Sequence, residues 1–200
     1  MVLGIDASRA NKKERTGVEW YSYFLIQEFK KIIPQDIQVV LYSPDPLRED
    51  LLPLPANWQV KILKWSFKFW TLLRFSWEML FHKPDVLFVP SHIIPFFPPN
   101  RSFTTIHDIG FKRFPESYSG PERRLQDFGV RRALSCAQTI FTPSEFTKNE
   151  LLDVYKKLAN PKKIIKTPLS HPTLTVATAT VSVGCDKGVL MIFFGFANFL

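Results

Sequence analysis

Residues 85–108, DVLFVPSHIIPFFPPNRSFTTIHD, contain two short apolar runs that each end in a histidine. Val86–Val89 leads into Pro90-Ser91-His92, and Phe103–Ile106 leads into His107-Asp108-Ile109-Gly110. Apolar runs of this length, bounded by Pro, Asn and Asp, read as buried strands. Ligands of open α/β sheets collect beyond the carboxyl ends of the strands, so both histidines fall where a site would form.

Outward from this stretch the same grammar repeats. Val2–Ile5 is a strand ending at Asp6, followed by a polar loop, Ser8–Arg15. Thr16-Gly17-Val18 then opens a helix whose Val18, Tyr21, Leu25, Phe29 and Ile32 share one face, closed by Pro34. Ile37–Tyr42 and Gln59–Leu63 are the next strands, on either side of the proline-rich loop Ser43–Trp58. Beyond the central pair, Phe111–Gly120 reads as a loop. Pro121 opens a helix with Leu125, Phe128, Val130, Ala133, Leu134 and Ala137 on its buried side. Gln138–Thr142 is a strand, Ser144 an N-cap for the helix Glu145–Tyr155, and Lys163–Lys166 the last strand of the set. Alternating strands and helices predict an α/β chain with a Rossmann-like parallel sheet and helices on both faces.

One segment stands apart. Of the seventeen residues Trp65–Phe81, eleven are Trp, Phe, Leu or Met, and Lys61, Lys64 and Lys68 recur at helical spacing beside them. A helix apolar nearly all round is either a core helix between sheet and loops or an interfacial patch with lysines against anionic lipid. Lys68, Arg74 and Glu78 interrupt it, so it does not read as a span.

Composition narrows the function classes. The chain is 46% hydrophobic and 22% charged, ordinary for a folded domain with a real core. A net charge of +8 favours anionic partners, but no nucleic-acid recognition motif accompanies it. Cys136 and Cys185 are too few for a disulfide framework or a zinc cluster, which points to a reducing compartment. The N-terminus carries Asp6 and Arg9 directly after its short apolar run and is no signal peptide, so a cytoplasmic location is expected. GxSxG, GxxxxGKS, HExxH and paired-cysteine motifs are absent.

The remaining chemistry is a helix start at Gly17, which offers amides and a positive dipole end to a phosphate, and His107-Asp108 beyond a buried strand. Asp108 has a second, structural reading: capping its loop and orienting His107. His92 likewise has a packing role open to it, beneath Ile93-Ile94-Pro95. Arg123, Arg124, Arg131 and Arg132 form either a solvated face or a phosphate-facing one. From His171 the character changes: Thr173–Val183 is uncharged, residues 184–188 form a turn, and Val189–Phe194 is another apolar strand.

Taken together, VLGIDASRA, TGVEWYSYFLIQEF, PDVLFVPSHIIPFF, FTTIHDIGFKRFPESYS and QTIFTPSEFTKNELLDVY resemble the N-terminal half of family 4 glycosyltransferases, the retaining GT-B enzymes. The resemblance covers about residues 1–170 and implies the first of two Rossmann-like domains facing each other across a cleft. It divides the chain into an acceptor-side domain, 1–170, and a linker plus the first strand of a truncated donor-binding domain, 171–200. The activity implied is transfer of a hexose, in a mannosyltransferase-like manner, from a nucleotide-sugar donor to a glycan or lipid-linked acceptor. Cofactor and divalent metal are not expected. The resemblance assigns Thr16, Gly17 and Val18 to the donor diphosphate and His107, with Asp108 beside it, to the transferred sugar. His92, Arg113 and Arg124 are the acceptor-side candidates. Where the family carries basic residues after a glycine, Gly195 is followed here by FANFL, and the paired glutamates belong beyond residue 200. The chain by itself is therefore expected to be an inactive fragment, with a non-catalytic glycan- or phosphate-binding module or remnant as the alternative. Trp65–Phe81 would bring it to the inner face of the membrane as a peripheral protein.

Overall fold

In the computed structural model, which describes residues 1–167 and the backbone of 180–185 and 188–193, seven strands form one parallel sheet in the order β3-β2-β1-β4-β5-β6-β7. The strands are β1 (Val2–Asp6), β2 (Gln38–Ser43), β3 (Trp58–Ile62), β4 (Val86–Val89), β5 (Ser102–Thr105), β6 (Thr139–Thr142) and β7 (Ile164–Lys166). The α-helices are α1 (Gly17–Ile32), α2 (Ser76–Phe81), α3 (Gly110–Arg113), α4 (Gly120–Cys136) and α5 (Glu145–Val154). The order reverses between β1 and β4, whose register pairs Leu3 with Val86 and Ile5 with Phe88. Every strand expected from the sequence up to Lys166 is present.

The pleat divides each central strand between two cores. Leu3, Ile5, Val39, Leu41, Val86 and Phe88 face one way, onto Leu25, Ile26 and Phe29 of α1. Val40, Tyr42, Leu87 and Val89 face the other way, onto Phe75, Met79, Val130 and Leu134. Helices thus cover both faces, which is why the strands read as continuous apolar runs rather than alternating ones. Burying each such side chain fully contributes about 1.5–3 kcal/mol.

Several local readings need correction. Residues 65–70 are not helical; a π-helical turn, Thr71–Phe75, runs directly into α2. This segment is not a core helix either, because Leu72, Phe75, Ser76, Glu78 and Met79 are buried while Phe67, Phe69, Trp77 and Phe81 are more than half exposed. The lysines form no helical stripe: Lys61 lies in β3 and pairs with Glu78, and Lys64 and Lys68 sit in the connecting loop. Glu78 is the buried anchor here, since Arg74 (3.3 Å) and His82 (3.1 Å) meet the same carboxylate.

The stretch read as a loop, 111–120, contains the helical turn α3 and a 3-10 turn, Pro115–Ser117. Helix α4 begins at Gly120, capped by the Ser119 hydroxyl, which accepts from the Glu122 amide. Its Phe128 is 40% exposed rather than buried, because it turns outward beside Phe96, tilted against that ring, and Arg132. Ser144 caps α5 as expected, accepting from the Thr147 amide at 3.0 Å. The expected strand at 189–194 is β9 (Gly188–Phe193), antiparallel to β8 (Thr180–Cys185). The rest of the expected linker, and the segment from Gly195 onward, lie outside the described residues.

Gly4 in β1 is demanded by close approach, because a Cβ there would lie 2.8 Å from both Pro84 Cγ and Tyr42 Cε2. Gly4→Ala is expected to lower the unfolding free energy by about 1–3 kcal/mol, through overpacking next to the sheet's reversal point. Urea denaturation checks this: an unchanged midpoint would mean that the Pro84 ring yields freely.

Candidate functional site

The carboxyl ends of β1, β4 and β5 open onto one cleft of about 220 Å³, lined by residues that include Arg9, Thr16, Glu19, His92, His107 and Asp108. It lies where the strand order reverses, the place at which a parallel sheet parts its crossover connections to either side and leaves a crevice.

The wall after β1 is built rather than loose. Asp6 is 1% exposed, and one oxygen accepts the Ser8 amide at 2.9 Å; burial pushes its carboxyl upward from the usual range. Asn11 reaches across to β2, donating to Ser43 Oγ (3.1 Å) and the Pro46 carbonyl (2.9 Å) while accepting from the Arg48 amide (2.8 Å). Arg15 donates to the Ala10 carbonyl (2.9 Å), grips Asp50 with two bonds (2.7 and 3.0 Å), and lies over the Tyr23 ring at 4.2 Å. These bonds deliver Arg9 and Thr16 to the cleft.

At the start of α1, Glu19 takes both the Thr16 amide (3.3 Å) and its hydroxyl, so Thr16-x-x-Glu19 is a capping box. Arg9 meets the same carboxylate at 3.2 Å. Burial raises the Glu19 carboxyl, but Thr16 and Arg9 more than offset this and hold it below its usual range. One amide expected to face an anion is thus already occupied. By helix geometry Gly17 and Val18 keep N–H groups without intrahelical partners. A Cβ on Gly17 would meet nothing within 4 Å, so the approach to those amides is open.

From the other side, His107 sits half-buried at the end of β5. Its Nε2 lies 3.1 Å from the Pro90 carbonyl, and its ring meets Tyr21 edge-on at 4.7 Å. Tyr21 is held in turn by Thr105 at 3.0 Å, and the Thr147 hydroxyl donates to the His107 carbonyl at 3.2 Å. Burial lowers the His107 pKa, favouring the neutral ring. A carbonyl can only accept, so Nε2 carries the proton and Nδ1 is left with its lone pair. Asp108 is exposed, and its Oδ1 accepts the Gly110 amide at 2.8 Å. The capping role is therefore real, whereas the partner that orients His107 is Pro90.

His92 enters the same cleft from the β4 loop. Its Nε2 is buried with no hydrogen-bond partner, and burial takes its pKa down to about 4, helped by the charge on Arg9. Gly129 of α4 makes room for it, because a Cβ there would come within 3.0 Å of both the His92 ring and Ile93. Of the acceptor-side candidates, only His92 is brought in. Arg113 pairs with Glu150 (2.8 Å) and lies over Phe146 (4.4 Å), and Arg124 is exposed on α4 away from the cleft lining. Arg9, Glu19, Tyr118 and Gln126 are cleft residues that sequence reasoning missed. Only Glu19 had a legible signal, its capping-box spacing. Among the described residues no three of His, Cys, Asp or Glu gather as a metal-ligand set, and no helix is long and apolar enough to cross a membrane.

The low pKa of His92 has a stability consequence. The unfolded chain binds this proton below about 6.5 and the folded chain only below about 4, so between those values the unfolded state holds more protons. Stability therefore falls as pH drops through that window, by on the order of 3 kcal/mol from this group at its limit. His92→Gln should flatten that part of the stability profile relative to wild type. Parallel slopes for the two proteins in urea titrations between these pH values would refute the buried, neutral ring.

None of the curated proteins matches the chain. The sequence model of Glycosyltransferase Family 4 does match it, over residues 15–168, a span that runs from the capping box of α1 to the end of the parallel sheet. The match covers most of the chain and agrees with the fold, and the chain belongs to glycosyltransferase family 4.

Proposed function

We propose that these residues form the acceptor half of a retaining GT-B transferase that takes a sugar from a nucleotide-sugar donor, with a second Rossmann-like domain holding most of the nucleotide. The observation that carries this reading is the convergence of the α1 start and His107 on one cleft at the strand reversal. The leaving diphosphate is met by the free amides at Gly17 and Val18 and by Arg9, fixed dipoles and charge that need no reorganisation as negative charge develops. His107, neutral and pinned through Nε2, offers Nδ1 as an acceptor to a hydroxyl of the transferred sugar. Asp108 shapes the loop beside it. No metal takes part: the charge is handled by amides and guanidinium. The anomeric configuration is kept.

Acceptors are glycans or lipid-linked molecules that approach past His92. The protein works in the cytoplasm at the inner face of the membrane, touching lipid through the region of Trp65–Phe81. Support for the contact comes from Phe67 at 77% exposure and Trp77 at 63%, flanked by the exposed Lys64, Lys68 and Lys83. Aromatics enter the headgroup region while lysines meet anionic lipid.

In a polypeptide that carries both halves of the cleft, His107→Ala is expected to lower the transfer rate by about 100-fold or more while leaving the fold intact. Unaltered transfer from the donor would remove His107 from the site. For the membrane contact, co-sedimentation with vesicles containing phosphatidylglycerol should fall as salt is added, by about an order of magnitude between low and high ionic strength. Association that ignores salt, or none at all, would eliminate it.

A further inference from the structure

The cleft is not isolated. Arg9 lines both the cleft and a neighbouring cavity of about 390 Å³, whose walls also include Lys12, Lys68, Phe69, Thr71 and Ile93. Leu72 in turn lines that cavity and a third of about 630 Å³, walled by Leu73, Trp77, Leu80, Phe96 and Phe97. Consecutive cavities thus share a wall residue, and their character changes from the first to the third. The first is polar, with His92, His107 and Asp108. The second is cationic, with Arg9, Lys12 and Lys68. In the third the one charged lining residue is Arg74, whose guanidinium is engaged by Glu78 at 3.3 Å.

The apolar end is held in shape. Phe96 donates its amide to Ser76 Oγ at 2.8 Å, and Arg132 donates to the carbonyls of Pro95 (2.8 Å) and Phe96 (3.1 Å). Trp70 anchors the start of the π-helical turn through Nε1 to the Leu63 carbonyl (2.9 Å) and stacks on Phe75. Lys12 and Lys68 are exposed and take part in no ion pair among the described residues. A trough that runs from hydroxyl-binding groups, past unpaired cations, to a wide aromatic slot is complementary to one kind of molecule. Polar head, anionic link and apolar chain occur in that sequence in a lipid-linked saccharide.

Resting on the transferase reading above, we propose that the acceptor is a membrane-borne saccharide joined through phosphate or diphosphate to a long apolar chain. Its acceptor hydroxyl lies beside His92, its phosphate at Lys12 and Lys68, and its chain along Trp77, Phe96 and Phe97. The chain leaves the slot beside the exposed aromatics that meet the bilayer, so acceptor and membrane share one surface. Apolar burial supplies affinity, and the cations discriminate a phosphate-linked chain from an uncharged one.

The test is binding to the full chain without any donor, by titration calorimetry, with farnesyl diphosphate, farnesol and inorganic diphosphate as probes. Farnesyl diphosphate should bind about tenfold or more tightly than either of the others, because it alone engages both ends of the trough. Trp77→Ser should weaken farnesyl diphosphate about tenfold and leave inorganic diphosphate unchanged. The double variant Lys12→Glu/Lys68→Glu should weaken farnesyl diphosphate to a similar degree, about tenfold, and leave farnesol unchanged. Circular dichroism confirms that these exposed substitutions keep the fold. Equal affinity for farnesol and farnesyl diphosphate, equal affinity for the two diphosphates, or indifference to both variants would each overturn the proposal. Neutral phosphatidylcholine vesicles doped with polyprenyl phosphate should capture more protein than vesicles doped with the same amount of phosphatidylglycerol; equal capture would mean that only surface charge is read, and would also overturn it. No donor is present, so a chain that passes these tests but transfers no sugar within a polypeptide carrying both halves of the cleft fails the transferase reading alone. Transfer to a soluble glycan by a chain that fails them does the reverse.

Discussion

The reversal of strand order between β1 and β4 is the constraint that creates the site. All seven strands are parallel, so every connection must cross a face of the sheet, and the crossovers leaving β1 and β4 depart to opposite sides. That divergence opens the space into which the β1, β4 and β5 loops project. The fully apolar, two-sided central strands lock the arrangement. Shifting β1 by one residue would send Leu3 and Ile5 toward the other core and bring a side chain to the place that Gly4 leaves to Pro84 and Tyr42. The chemistry at the rim is therefore placed by packing some distance beneath it.

How much of this is legible in the sequence depends on the range of the interaction involved. Strands β1, β2 and β4 are legible because burial on both faces writes a nearly continuous apolar run, and β5 and β6 because Phe, Ile and β-branched Thr fill them. His107 and His92 are legible as rim residues because position after a strand is a local property. Glu19 is just as local, four letters in Thr16-Gly17-Val18-Glu19, but the glycine within the box draws the eye away from the box itself. Arg9, Tyr118 and Gln126 carry no local mark: only the folded sheet brings residues from the β1 loop and α4 to one cleft. Arg113 misleads for the same reason, since a basic residue near the rim finds Glu150 and Phe146 first.

Trp65–Phe81 is the instructive misreading. Its composition suggests one helix with no polar face, yet helical structure covers only its second part, and the buried side includes Glu78. Lys61, Arg74 and His82 compensate that carboxylate, and burial, which raises its pKa, is outweighed by them. Periodicity cannot reveal this, because a buried acid with three basic partners looks like scattered surface charge in a one-dimensional string. The aromatic side chains stand out in the sequence, but they divide: Phe75 is buried, whereas Phe67, Phe69, Trp77 and Phe81 face outward, and the Glu78 carboxylate lies underneath.

The straps on the Ser8–Arg15 segment have an entropic corollary. Fixing a residue's backbone costs about 1–2 kcal/mol of entropy, and here Asn11, Arg15 and Asp6 impose that cost during folding. The wall after β1 is thus a mould rather than a flap, with little freedom left to open, and any ligand of the cleft meets it already shaped.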